Sequence, residues 1–525
     1  MERGDIDGNA ERDRAIMLTR RTFLATGSAG IVAAALAGTL PALGQDADTL
    51  TIAFNVNLPS FDPTTGASAV NPTIQAIYRT VFDQYVGQAP DLAFEPGILT
   101  EWGFNEDKTK VSMTVREGVV WHDGTPLTPE DVVWSLQRAG DPANGNPVSN
   151  VWASIGNFTI DGNRIDGDVV AFDPTVFKWM AFLTGYVLPK AYFEKVGAEA
   201  FNQAPIGTGP YKVDAFESNA FLRLKANADY WGPKPTFETV IFKFVTDATS
   251  RTAEIESGAS DVTLEVSYED YDRLKDSEGL AGVAVPISDI GMIFLNNIGP
   301  MLDKNVRLAA HHAINKQAII DRLLRGYGVA IDTLQAPEYE AYDASIKVGY
   351  DEAKAIELLA ASGFSTSNPV KFPIQTTRGL KPKDYEMIQA IVGMWRKVGI
   401  EAEIEVYEIA KHYELRAADQ LAPAAFYNWG DAIGDASAST GFAMFGPSPH
   451  SVWDTEDLDA LIAPLWTEKD EGARVAGWKA VDKYIAEEGY VIPLLQYVQP
   501  ILFKSTLKVT PNTSGALQPS LISKA

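Results

Sequence analysis

The chain has no cysteine in 525 residues. That excludes disulfides, thiolate metal sites and cysteine nucleophiles together, and also a lipid-modified cysteine as a tether. Histidine is nearly as scarce, with 5 in all. His311 and His312 are adjacent, so on a helix they point about 100° apart and do not form an i, i+4 metal pair. No acid stands out at ligand spacing from His122, His412 or His450. A G-x-S-x-G elbow, a Walker loop and a strand-linked G-x-G-x-x-G are all missing. Carboxylate pairs occur, but an acidic chain makes them by chance. The motifs therefore call for no catalytic chemistry, metal or cofactor. Basic charge is also short: 44 Lys and Arg stand against 69 Asp and Glu, a net −25. This balance argues against nucleic acid or an anionic membrane face as a partner.

Long apolar runs are confined to one place. Ala25 to Leu40 is mildly apolar, and it is too short and too rich in Gly and Thr to span a bilayer comfortably. It follows Thr19-Arg20-Arg21-Thr22-Phe23-Leu24 and leads into Pro41-Ala42-Leu43-Gly44. Paired arginines, a modest h-region and small residues before Gln45 predict a twin-arginine export signal over residues 1–44 and a periplasmic protein with no membrane insertion after cleavage. A Sec signal or a short anchor are the alternatives. The segment holds five arginines and five acids, so the mature chain keeps the −25. Met17 sits where a shorter signal would begin.

What is present is a well-packed globular composition, 46% hydrophobic and 10% aromatic. The length predicts two or three lobes. Gly207-Thr208-Gly209-Pro210 reads as a tight turn whose glycines are free to take positive φ. Tyr211-Lys212-Val213 and Phe221 to Lys225 alternate, predicting two antiparallel strands closed by Asn227, Tyr230-Trp231 and Gly232. Further strands are expected at 50–54, 101–104, 111–115, 240–245, 262–266, 291–296, 402–407 and 491–496. Helical spacing marks 71–86, 250–256, 305–325, 351–361, 384–398, 455–467 and 471–487. Thr128 with Pro129 and Asp131 makes a helix cap with its acid in the capping-box position. The pattern is mixed α/β, and the chain crosses between lobes more than once.

The order G-T-G-P-Y, a charged strand, then N-x-D-Y-W-G closely resembles the signature of the extracytoplasmic solute-binding proteins of peptide and oligopeptide ABC importers, solute-binding protein family 5. Three more blocks resemble that family in the right order: Arg116 to Val133 (R-E-G-V-V-W-H-D-G-T-P-L-T-P-E-D-V-V), Asn296 to Ala310 around Asp303-Lys304-Asn305-Val306-Arg307, and Trp395-Arg396-Lys397-Val398-Gly399-Ile400. The resemblance implies a two-lobed α/β periplasmic binding protein (class II-like, cluster C) with an extra domain inserted in the first lobe. Lobe I would comprise 45–88, 204–292 and 490–525, with the inserted domain at 89–203 and lobe II at 293–489. Hinge crossings would fall near 290–297 and 485–492. It further implies a non-enzymatic, monomeric receptor that hands a small-molecule or peptide ligand to ABC transporter permease subunits. A non-peptide solute (oligosaccharide, opine-like conjugate or metal chelate) is the alternative ligand, and a periplasmic peptide or sugar hydrolase the alternative class.

A peptide offers an ammonium and a carboxylate, and a closed cleft needs an acid and a base to pair with them. By the resemblance, Asp431, two positions after Trp429, receives the amino terminus. The run Gly434-Asp435-Ala436-Ser437 departs from the family's D-P-D, which makes Asp435 a rival. An ordinary Asx-turn aspartate is the plain alternative. Arg378, placed before the W-x-K-x-G block as in dipeptide-binding relatives, is the implied carboxylate partner, with a solvated loop arginine as its alternative. Trp429 and Tyr427 offer flat pocket walls, although strand alternation sends one of them into the core. Trp121 and His122 read as structural parts of the inserted domain.

Overall fold

Two strands are far longer than the sequence pattern predicts: Leu280–Leu295 and Val491–Lys504. Both run through the centre of an 11-stranded sheet. The computed structural model describes residues 48–525 except 70, 432, 449, 450 and 452. The expected export signal, Met17 and His450 lie outside the described residues.

The two crossing strands pair antiparallel from Leu280↔Lys504 to Pro286↔Val498, lose register, and pair again from Ile290↔Gln496 to Phe294↔Val491. On one side of this break they join Val262–Leu264, Thr49–Phe54, Thr239–Phe244, Phe221–Ala226 and Tyr211–Glu217; on the other they join Ala424–Gly430, Val370–Thr376 and Ile400–Val406. One sheet thus serves two lobes. The main interruption falls at 287–289 opposite Tyr497, and a second register shift, at Gly291/Met292, lies inside the expected hinge segment 290–297.

Burial explains the apolar runs. Along the first crossing strand Ile293 and Leu295 enter one core with Ile374, Ile391 and Trp395. Ile290, Met292 and Phe294 enter another with Tyr427, Trp478 and Ile485. Successive side chains point to opposite faces, and both faces are covered along Ile290 to Leu295, so that stretch must be apolar. The other lobe has its own core around Ile52, Phe54, Leu224 and Phe242. A separate four-stranded antiparallel sheet, in the order Leu99–Phe104, Lys110–Val115, Arg164–Val169, Ile155–Asp161, carries a core with Trp121, Trp152 and Trp179.

Several local expectations hold. Tyr211–Glu217 and Phe221–Ala226 form the hairpin, and Thr128 and Asp131 exchange both capping-box hydrogen bonds. Others are corrected. Residues 71–86 contain only the short helix Gln75–Val81. The 305–325 span is two helices, Lys304–His312 and Lys316–Leu323, because the Asn315 side chain caps the second. Gly207 and Gly209 do not adopt positive φ. They serve close approach instead, since a Cβ on Gly207 would lie 2.0 Å from the Val81 carbonyl oxygen. His122 locks the same turn: Nδ1 accepts from Gly207 N–H (3.1 Å) and Nε2 lies 3.0 Å from Gly209 O. Burial pulls its pKa down to about 4, keeping it neutral.

Candidate functional site

Where the crossing strands lose register, a cleft of about 310 Å³ opens between the lobes. Its floor is Ile287, Ser288 and Asp289, the residues left out of the ladder. Their backbone groups find partners on both sides. Ser288 N–H donates to Thr513 O (2.8 Å), Ser288 O accepts from Asp431 N–H (3.0 Å), and Ile287 O accepts from Gln496 Nε2 (3.1 Å).

One lobe contributes Glu265, beside Gln499, Ser514 and Gly515. Glu265 has φ +54°, a left-handed conformation that costs an L-residue and clusters at functional sites. It is held there by Arg251 donating to its carbonyl (2.8 Å) and by its own N–H on Pro500 O (3.0 Å). Its carboxylate accepts from a neutral amide donor, Asn55 Nδ2 at 2.5 Å, and among the described residues it forms no direct salt bridge.

The other lobe contributes Asp289, Lys381, Tyr413, Arg416, Asn428 and Trp429. Asp289 and Lys381 form an ion pair, and Asn428 Nδ2 donates to both Asp289 oxygens (2.9 and 3.2 Å). Burial works against the charge on Lys381, but Asp289 and Glu265 outweigh it and its pKa is raised. Asn428 Oδ1 is buried and accepts no hydrogen bond among the described residues.

Arg416 is different. Its guanidinium lies 5.1 to 5.3 Å from the ring centres of Trp429, Tyr413 and Tyr427. Among the described residues no carboxylate pairs with it, and burial lowers its pKa with only the two tyrosines opposing. It is a cation fixed by aromatic faces with its donors uncommitted.

Of the four residues expected at the site, the cleft lining includes Trp429 alone. Trp429 is held by its indole N–H on Ala438 O (2.8 Å). Alternation does not separate it from Tyr427, two residues earlier on the same strand face; Tyr427 lies deeper in the core, stacked 4.1 Å from His412 with its hydroxyl on His412 O (2.6 Å). Arg378 is exposed and lies 3.7 Å over the Tyr385 ring, three residues from Lys381. Asp431 adjoins the cleft residue Gly430, but its carboxylate turns inward to accept N–H groups of Ile433 (3.2 Å) and Asp435 (3.1 Å). Burial, then the nearby Asp435, raises its pKa to about 7. The rival Asp435 is also buried, paired with Arg474 and Lys178 outside the cleft. Arg416 carried a signal in His412-Tyr413-x-x-Arg416, where i, i+3 spacing on a helix aligns ring and cation. Among the described residues no group of three or more His, Asp or Glu is placed to hold a metal ion, and no helix is long and apolar enough to cross a membrane.

Two lobes sharing two strands, with a charged cleft at the crossing, define a two-lobed α/β binding protein. Residues 93–448 match the model for bacterial extracellular solute-binding proteins, family 5 Middle, and the chain belongs to that family. It is 27% identical over 458 residues to the dipeptide-binding protein of Escherichia coli, covering 81% of this chain and 84% of that protein. It is 26% identical over 443 residues to heme-binding protein A of Haemophilus influenzae, covering 78% and 80%. The solved dipeptide-binding protein from a Pseudoalteromonas species in complex with Met-Leu superposes with a TM-score of 0.77 at 20% identity, covering 91% of this chain and all of that one.

Proposed function

We propose that the protein is the periplasmic receptor of an ABC importer and that its ligand is a short peptide with both ends free. One observation carries this reading: the cleft presents an unpaired acid from one lobe, Glu265, and an unpaired cation from the other, Arg416. Asp289 and Lys381 satisfy each other, so what is left complements a zwitterion. In this reading Arg416 takes the peptide carboxylate and Glu265 its ammonium, while Asn428 Oδ1 accepts a backbone N–H. Each end of the ligand then contacts a different lobe, so both contacts form only when the lobes close. That differential affinity drives the open–closed population toward the shape a permease reads. No covalent step is required, and the receptor is not an enzyme. The twin-arginine signal at 1–44 accounts for export, and the flat faces of Trp429 and Tyr413 receive a side chain. Asp431 is the competing ammonium partner; it serves only if the loop turns its carboxylate toward the cleft.

The test is a thermal-shift screen of ligand-stripped mature protein with free, amino-acetylated and carboxy-amidated dipeptides. A ligand at about 100 times its Kd adds roughly 2.7 kcal/mol to the folded state. Free peptides should shift the midpoint and either blocked form should not. Shifts with oligosaccharides or metal chelates alone would sink the peptide assignment, and turnover of bound ligand would sink the receptor reading.

A further inference from the structure

Asp435 does not belong to the cleft, yet it is among the most elaborately paired side chains in the molecule. It follows Asp431 in the loop that leaves the cleft wall, and it reaches the unit built on the four-stranded sheet. There it accepts from Lys178 Nζ at 2.8 Å. From its own lobe it accepts two hydrogen bonds from Arg474, Nη1 at 2.7 Å and Nη2 at 2.5 Å. The side chains of Asp435 and Arg474 are only 2% and 5% exposed. Burial works against the Asp435 charge, but Arg474 and Lys178 outweigh it and hold its pKa below the usual carboxylate range. Ile433 and Ala438, on either side, enter the same core as Val176, Trp179 and Met180. Lys178 lies in that helix, Val176–Met180.

We propose that Lys178, Asp435 and Arg474 form a closure latch, a contact that sets how readily the lobes part without touching the ligand. Three observations support it. The pair Lys178–Asp435 joins two units of the fold, whereas Arg474–Asp435 lies within one. Opening therefore breaks only the first: Asp435 keeps a two-pronged arginine, and Lys178, 16% exposed, goes to solvent. No charge is stranded in a dry core, which is the condition for a buried ion pair to be reversible. The loop is also wired to the cleft. The Asp431 carboxylate receives the Asp435 N–H, and the Asp431 N–H donates to Ser288 on the cleft floor. Asp431 is thus a positioning residue for the latch. A second contact, Lys469 Nζ to Asp107 O at 2.9 Å, spans the same boundary at the surface.

The proposal shares with the peptide reading only the premise that the lobes separate, and its test uses no ligand. Because the chain has no cysteine, Glu106→Cys and Ala476→Cys, both at exposed positions, give one spin-label pair across the boundary. Distance distributions are then recorded by electron double resonance on ligand-stripped protein. Lys178→Met keeps the Asp435–Arg474 pair and most of the stem packing, so the variant should fold. Its distribution should move to longer distances, and Lys178→Arg should restore the shorter one. A Lys178→Met distribution superimposable on that of the parent pair would overturn the latch, as would a Lys178→Arg variant as open as the methionine one. A failure of every peptide to bind would leave this comparison untouched.

Discussion

The charges of the cleft and the charges of the latch are built on opposite plans. At Asp435 the carboxylate is enclosed and its oxygens are filled by Lys178 and Arg474. At Arg416 the cation is fixed just as firmly, but by three aromatic faces that leave its hydrogen-bond donors open. Both sites are partly or wholly dry, so both charges are costly to bury. The latch offsets that cost internally. The cleft leaves it to be offset by whatever enters. Position in the chain does not separate the two plans; the chemistry of the neighbours does.

Breaking the saturated side should have the largest effect. Asp435→Asn leaves two cations facing an amide, and removing one partner of a buried pair costs about 3–5 kcal/mol. Urea unfolding should show that loss, and a midpoint within error of the parent protein would contradict the pairing. On the open side, Arg416→Met should leave stability nearly unchanged and weaken peptide binding by about 2–5 kcal/mol, the range for truncating one member of a buried hydrogen-bonded charge pair. Arg378→Ala, at an exposed arginine, is the control and should bind normally in calorimetry. Glu265→Gln against Asp431→Asn then decides the ammonium partner: the first should lose binding, while the second should act mainly through loop order. Equal binding by Glu265→Gln and the parent protein would return that role to Asp431.

The smallest effect concerns pH. Asp482 is fully buried behind the loop and accepts from Thr440 Oγ1 at 2.7 Å. Burial raises its pKa to about 7, as it does for Asp431. An acid with a raised folded-state pKa holds its proton more tightly folded than unfolded. Its contribution is intact below about pH 4 and is lost as the pH rises to about 7. Asp435, with a lowered pKa, has the opposite sign and loses its contribution as the pH falls below about 4. Neutral His122, its pKa pulled down to about 4, has the opposite sign up to about pH 6.5, so the test is the difference between variant and parent: Asp482→Asn should remove a decline of a few degrees between pH 5 and pH 8. An unchanged slope in Asp482→Asn would show that Asp482 does not titrate in this window.

The fold was legible where one local rule acts alone. The capping box at Thr128 and the hairpin after Pro210 follow from side chains within a few residues of each other. The crossing strands were not legible at their full length, because their pairing joins segments far apart in the chain. Pro286 sits where the first stretch of ladder ends, and Gly291 makes room for the Tyr497 ring, whose hydroxyl would lie 3.0 Å from an added Cβ. The cleft was legible as a pair of loops but not as side chains. Asp384 gathers the N–H groups of Gly379 (3.1 Å) and Leu380 (2.9 Å), a turn that brings Lys381 to the cleft while Arg378 lies on Tyr385. The same holds for Asp431: the left-handed turn at Gly434 (φ +67°) folds the loop back so that its own amides reach the carboxylate. Residue type was readable from the sequence, but facing depends on partners far along the chain.

The second crossing strand also governs how the protein can be made. Val491–Lys504 follows every other strand of its sheet in the chain, yet it pairs with Val262–Leu264 in one lobe, with Gly328–Ala330 in the other, and with the crossing strand Leu280–Leu295 along both. Neither lobe can complete its sheet until this strand has been synthesised. Folding domain by domain from the ribosome, the usual course for large chains, is closed to it. The last step must be a long-range, slow one, in which a single late strand threads between two half-built sheets and completes both at once.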